Sequence, residues 1–176
     1  MTSATISENQ LISIMRKTVI LLLSIVINFA ANAQTVSGSF RSIANEPRVG
    51  FMVDLSVADI MGMTEEQFAE YEPDWKKDKY EILSLISSSA NKETNNAPRL
   101  GNYKDANYDL KLVIRSIDVK GNYDCDIVLL KRDEVLAKGV GLYGKGGKFG
   151  TKLNLMKDGA ENIGKMLGRF LNKNIR

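Results

Sequence analysis

The side chains that carry most protein chemistry are thinly represented in this sequence, and one type is missing altogether. Among 176 residues there is no histidine. That excludes Ser-His-Asp and Cys-His hydrolases and histidine-bearing zinc sites together. An enzyme built on this chain would have to use carboxylates, lysine or tyrosine. Asp124 and Asp126 stand two apart in an apolar run, so both project from one face of a strand. As a pair they would serve a carboxylate-dependent glycan hydrolase, although they lie further apart than is usual for a nucleophile and its acid partner. No EF-hand-like ligand spacing surrounds them. Asp54, Ser56 and Asp59 follow an alternating segment and read as organisers of a turn. No catalytic residue and no metal-ligand set is assigned.

Two glycine-rich stretches invite a phosphate reading. Gly139-Val140-Gly141-Leu142-Tyr143-Gly144 matches G-x-G-x-x-G, with Asp158 downstream. A dinucleotide site needs those glycines to turn a strand directly into a helix. Here they lie inside the strand, and further glycines follow. In Gly144 to Lys152 no glycine stands five residues before Gly147-Lys148, and Phe149 replaces the Ser/Thr of a phosphate loop. No cofactor is expected. What remains is a cationic segment: Lys145, Lys148 and Lys152 are the candidate binding residues for an anionic partner such as an envelope polymer.

These residues need a scaffold, and the alternation of side chains supplies one. From Tyr108 to Tyr143 three apolar-rich runs are separated by turns at Lys120-Gly121-Asn122 and Lys131-Arg132-Asp133-Glu134. Leu110, Leu112 and Ile114 share one parity, Ile117 and Val119 the other, which predicts a bulge near Arg115–Ser116. Tyr123, Cys125, Ile127 and Leu129 share a face in the second run. The third carries Gly139 and Gly141, which permit another backbone to approach closely.

Upstream, Arg48 to Ser56 alternates and predicts a strand, with one further short strand around Phe40. Thr64-Glu65-Glu66-Gln67 is a capping box that starts a helix. Pro73 suits the entry to a second helix, Asp74 to about Ser89. Asn91 to Asn107 reads as a long surface loop. After the glycines, Thr151, Leu153 and Leu155 alternate as a short strand or extended segment, and a last helix starts at Asp158. Its stripe is Ala160, Ile163, Leu167, Phe170 and Leu171. Gly164 and Gly168 bring its backbone close to the sheet, against Gly139 and Gly141. The expected fold is α+β, a single sheet containing an antiparallel three-strand meander with helices packed on it, in the order β-α-α-β-β-β-α.

Residues 15 to 34 have the plan of a secretory signal peptide: Arg16-Lys17, an apolar core from Thr18 to Phe29, and Ala31-Asn32-Ala33 as the cleavage site. The core is short of the roughly 20 residues of a membrane-spanning helix. Translation is expected to begin at Met15. Residues 1–33 are therefore an N-terminal extension and signal peptide, and 34–176 a single domain. No cysteine follows the apolar core to carry a lipid anchor. The lone Cys125 cannot form an internal disulfide and reads as a small buried side chain. A net charge of +3 gives no argument for nucleic acid.

Phe51-Met52-Val53-Asp54-Leu55-Ser56, Tyr108 to Gly121, and Gly147-Lys148-Phe149-Gly150 leading to Asn154-Leu155-Met156-Lys157-Asp158-Gly159 resemble small exported proteins of Gram-negative bacteria. More distantly, the element order is similar to the α/β domain of envelope proteins related to the curli-secretion lipoprotein and the N-terminal domain of TolB. The resemblance implies a place in the periplasm, at the outer membrane or outside the cell, and a binding or assembly role. It implies an envelope protein or an anionic envelope polymer as partner, no membrane span after cleavage, and no catalytic residues. The alternatives are the glycan hydrolase above and a structural subunit that self-assembles through the meander's edge strand.

Overall fold

The computed structural model describes residues 34–94 and 98–176; the expected signal peptide and extension, residues 1–33, lie outside the described residues. The strands are β1 (Thr35–Gly38), β2 (Arg48–Asp54), β3 (Asp59–Ile60), β4 (Arg99–Gly101), β5 (Asp109–Ile117), β6 (Tyr123–Lys131) and β7 (Glu134–Gly144). They form one mixed sheet in the order β1-β7-β6-β5-β2-β4, with β3 also on β5. Helices α1 (Glu65–Tyr71), α2 (Trp75–Glu93) and α3 (Lys152–Asn174) complete an α+β fold.

The meander β5–β6–β7 is antiparallel, and the parity slip is absorbed by an irregularity between Ile114 and Ser116. As a result Leu110, Leu112, Ile114 and Ile117 are all buried, as are Tyr123, Cys125, Ile127 and Leu129. The β6–β7 turn is tight, with Arg132 at φ +48° and Asp133 at φ +69°, the two-residue geometry that matches strand twist. Neither outer strand of the meander is an edge: β1 pairs with β7, and β2 and β3 pair with β5.

Helix α1 begins at the expected box, where Thr64 Oγ1 accepts from Gln67 N–H and Gln67 Oε1 accepts from Thr64 N–H. Helix α3 starts earlier than Asp158. Thr151 Oγ1 accepts from Asn154 N–H at 3.3 Å and caps it. Leu153 and Leu155, which alternate like strand residues, lie in its first turn, with Leu153 and Met156 spaced for one helical face. The stripe Ile163, Leu167, Phe170 and Leu171 is buried as expected.

Gly164 and Gly168 of α3 face a different neighbour from the expected one. A Cβ on Gly164 would run into Ile86 C=O, and one on Gly168 into the Glu93 side chain and Ala90 C=O. Both therefore seat α3 against α2. On the sheet, Gly139 lies under the Phe170 ring, and Gly144 lets both the side chain and the backbone of Ile163 approach β7. The surface loop expected from Asn91 to Asn107 is shorter too. Helix α2 runs to Glu93, and Arg99–Gly101 pairs in parallel with Arg48–Gly50. The short strand expected around Phe40 lies just before it, at Thr35–Gly38, while Phe40 sits buried in a 3-10 turn.

Tyr123 is fully enclosed, and its hydroxyl has no hydrogen-bond partner among the described residues. Burial pushes its phenol far above the usual range. An orphaned buried hydroxyl costs about 1–3 kcal/mol. Tyr123→Phe is therefore expected to hold or raise stability by about 1 kcal/mol, read as a higher urea midpoint. A lower midpoint would mean that the hydroxyl has a partner.

Candidate functional site

Asp54 Oδ1 accepts from both the Ser56 N–H (2.9 Å) and hydroxyl (2.6 Å), and its other oxygen lies 3.5 Å from Lys111 Nζ. Those bonds from Ser56, aided by Lys111, hold its carboxyl below its ordinary value. Asp59 accepts from Gly62 N–H at 2.6 Å. Asp54 organises the turn after β2, and Asp59 the turn after β3. Asp126 pairs with Arg115 at 2.7 Å and accepts from Gly141 N–H at 3.3 Å, while Asp124 stays exposed. Among the described residues no group of three or more acidic or cysteine side chains is placed to hold a metal ion. Cys125 is buried, and its surroundings push the thiol well up.

Of the three candidate lysines, Lys152 is held by neighbouring side chains and the other two are exposed. Lys152 Nζ donates to Tyr71 Oη at 2.9 Å, sits 4.4 Å from that ring's centre, and lies 3.5 Å from Glu72. The tyrosine hydroxyl first, then the Glu72 charge, keep this ammonium protonated above its usual range. Lys145 and Lys148 are exposed on the glycine segment. That segment is fixed in place: Gly146 N–H donates to Asn122 Oδ1 at 2.8 Å, and Asn162 Nδ2 donates to Lys145 C=O at 2.7 Å. Lys152 borders a cleft of about 350 Å³ between α1, α2 and the start of α3, with Phe68, Glu72, Trp75, Asp78 and Met156. Trp75 packs edge-on to Phe68 at 5.0 Å, and its buried indole N–H has no partner among the described residues.

A second recess, about 560 Å³, runs along the edge of β2. Strand β4 pairs with β2 only over Arg48–Gly50. Beyond it, Phe51 to Asp54 are bonded to β5 on one side and, among the described residues, to no strand on the other. Gly50 N–H donates to Tyr108 C=O on the β5 side. By strand alternation the backbone groups of Phe51 and Val53 point the opposite way, into the recess. Tyr80 (76 % exposed), Leu83 and Ser87 of α2 form one wall, and Tyr103 and Asn102 the other.

The adjoining edge is covered by a device that the sequence did not disclose. Asn91 Nδ2 donates to Leu100 C=O and its Oδ1 accepts from Leu100 N–H, each at 2.8 Å. One side-chain amide thus takes the place of a neighbouring strand on the outside of β4. Tyr103 and Asp105 then brace Arg48, the ring at 5.5 Å and the carboxylate at 2.8 Å. Tyr80, Tyr103 and Asp109 were not singled out from the sequence as site residues. The only hint lay in Tyr80 and Leu83, an apolar pair one helical turn apart.

No protein-family model and no curated protein matches the chain. Among solved structures it is similar to the PelC dodecamer from Paraburkholderia phytofirmans, at 17% identity over 77% of this chain and 96% of that one, TM-score 0.42. A single-substitution variant of that dodecamer gives 13% identity over the same shares, TM-score 0.43. Likeness at this level says nothing of what the present chain binds.

Proposed function

We propose that this chain is a non-catalytic, exported domain of the cell envelope that holds a partner polypeptide by strand addition. The observation that carries this is the uncapped run Phe51–Asp54, open along a recess walled by aromatic side chains, beside an edge that Asn91 has closed. An extended segment placed there would continue the line of β4, with main-chain bonds giving affinity and the walls giving selectivity. The candidate carboxylates support a binding role over hydrolysis, since Asp54, Asp59 and Asp126 are all held by structural bonds. Self-assembly through the meander would have to use β1 or β2, because β5 and β7 are covered. The exported location rests on the signal-peptide pattern and on the envelope resemblance of the sequence.

A photo-crosslinking residue placed at Tyr80 or Met52 of the full chain tests the reading in cells. Both positions are expected to capture the same envelope polypeptide, whereas one at Val119, on the β5–β6 turn, captures none. Val53→Pro removes the N–H that faces the recess and leaves the bonds to β5, so it should abolish capture. Capture that survives Val53→Pro, or that is equal from Val119, would overturn strand addition. Retention of the chain in the cytosol would overturn the location.

A further inference from the structure

We infer that the segment taken by this edge alternates apolar with basic side chains. The inference rests on the strand-addition reading and adds to it the chemistry of the ligand. A strand laid beside Phe51–Asp54 presents successive side chains to opposite faces of the sheet. The register of β2 on β5 sets Phe51 opposite Leu110 and Val53 opposite Leu112, both buried core residues. One parity of the incoming strand therefore meets Phe51, Val53 and the helix wall of Tyr80 and Leu83, an apolar surface.

The other parity meets Met52 and Asp54 directly, with the charged Lys111 and Asp109 of β5 one strand further in. Met52 pairs with Lys111, and Asp54 with Val113, on the face away from the core. Asp109 lies over Gly50, where a Cβ would collide with its carboxylate, and it lines the recess half-buried. Among the described residues Asp109 has no ion-pair partner, since Arg48 is taken by Asp105 and Lys111 by Asp54. Two carboxylates, Asp54 and Asp109, thus face one lysine. A like charge brought against a half-desolvated carboxylate is disfavoured, and a basic side chain is favoured. Strand β1 of a second copy, Thr-Val-Ser-Gly, has no basic residue and fits this pattern poorly.

Blocked seven-residue peptides with valine at odd positions and lysine, serine or glutamate at even ones separate the outcomes. Their binding to the full chain is measured by fluorescence anisotropy at low salt, with the thermal midpoint of every variant recorded. The lysine peptide is expected to bind about tenfold more tightly than the glutamate peptide. Asp109→Asn should shrink that ratio, and Val53→Pro should abolish binding of all three. Equal binding of lysine and glutamate peptides, or a ratio unmoved by Asp109→Asn, overturns the basic pattern while the edge still binds. Absence of binding by any peptide, or binding indifferent to Val53→Pro, overturns strand addition itself. Self-association on sedimentation that Val53→Pro disperses would make the occupant a second copy, and overturns the inference.

Discussion

Phe170→Ala is expected to lower the free energy of unfolding by about 3–5 kcal/mol. The ring is 3 % exposed and lies on Gly139 of β7, so the sheet residue beneath it has no side chain to fill the space it leaves. It also meets Phe40 edge-on at 5.1 Å. That contact ties α3 to the turn following β1, the strand at one end of the sheet. Truncation therefore removes transfer energy, opens a cavity and loosens an edge at once. Urea unfolding should show a lower midpoint with an unchanged slope, and hydrogen exchange should show faster amides in Thr35–Gly38. Phe149→Ala is the control: that ring is 89 % exposed, and its loss should change stability by no more than about 0.5 kcal/mol. A Phe170→Ala effect as small as the control would mean that α3 does not hold the sheet as described.

The parts of this fold that were legible in the sequence are those where local pattern and burial agree. Each meander strand has one buried face, so period-two alternation revealed the strands and even the slip at Ile114–Ser116. The capping box at Thr64 was equally plain, because its chemistry lies within four residues. Legibility failed where distant residues decide. Strand β4 spans Arg99–Gly101 and exists because Asn91, on the preceding helix, bonds to Leu100. In the sequence that asparagine looked like a loop residue. Leu153 and Leu155 fit a strand and a helix equally, and only the cap at Thr151 separates the two. Gly164 and Gly168 announced a close approach without naming the neighbour, which is α2. The recess on β2 was the least legible feature. It arises from where a neighbouring strand stops, and no residue in β2 encodes that. The glycine segment read as a flexible link, and its bonds to Asn122 and Asn162 make it a held joint instead.

That joint carries the second large effect. Gly121→Ala is expected to cost about 2–4 kcal/mol, from a strained backbone together with overpacking. Gly121 has φ +71°, and a Cβ there would strike Leu155 C=O in the first turn of α3. The surroundings cannot yield, because a Cβ on Gly146 would strike Lys120 C=O and one on Gly159 would strike Gly121 C=O. Three glycines thus let the β5–β6 turn, the glycine segment and α3 meet backbone to backbone. Gly62 separates strain from collision: its φ is +86°, but nothing lies within 4 Å of a Cβ placed there. Gly62→Ala should cost about 1 kcal/mol, and an equal loss at Gly121 would remove the collision. The same turn gives an acid signature. Asp118 accepts from Lys120 N–H (2.8 Å), Asn122 N–H (3.0 Å) and Asn122 Nδ2 (2.7 Å). Burial works against its ionisation, but the bonds from Asn122 and Lys120 outweigh it and hold the carboxyl below its ordinary value. A carboxyl depressed in the folded state stabilises the fold above its unfolded pKa, near 3.9, and loses that effect as pH falls through the lower folded value. Stability measured from pH 7 downward should therefore fall below about pH 4, less steeply in Asp118→Asn. An unchanged slope in that variant would show that the carboxylate does not set the turn.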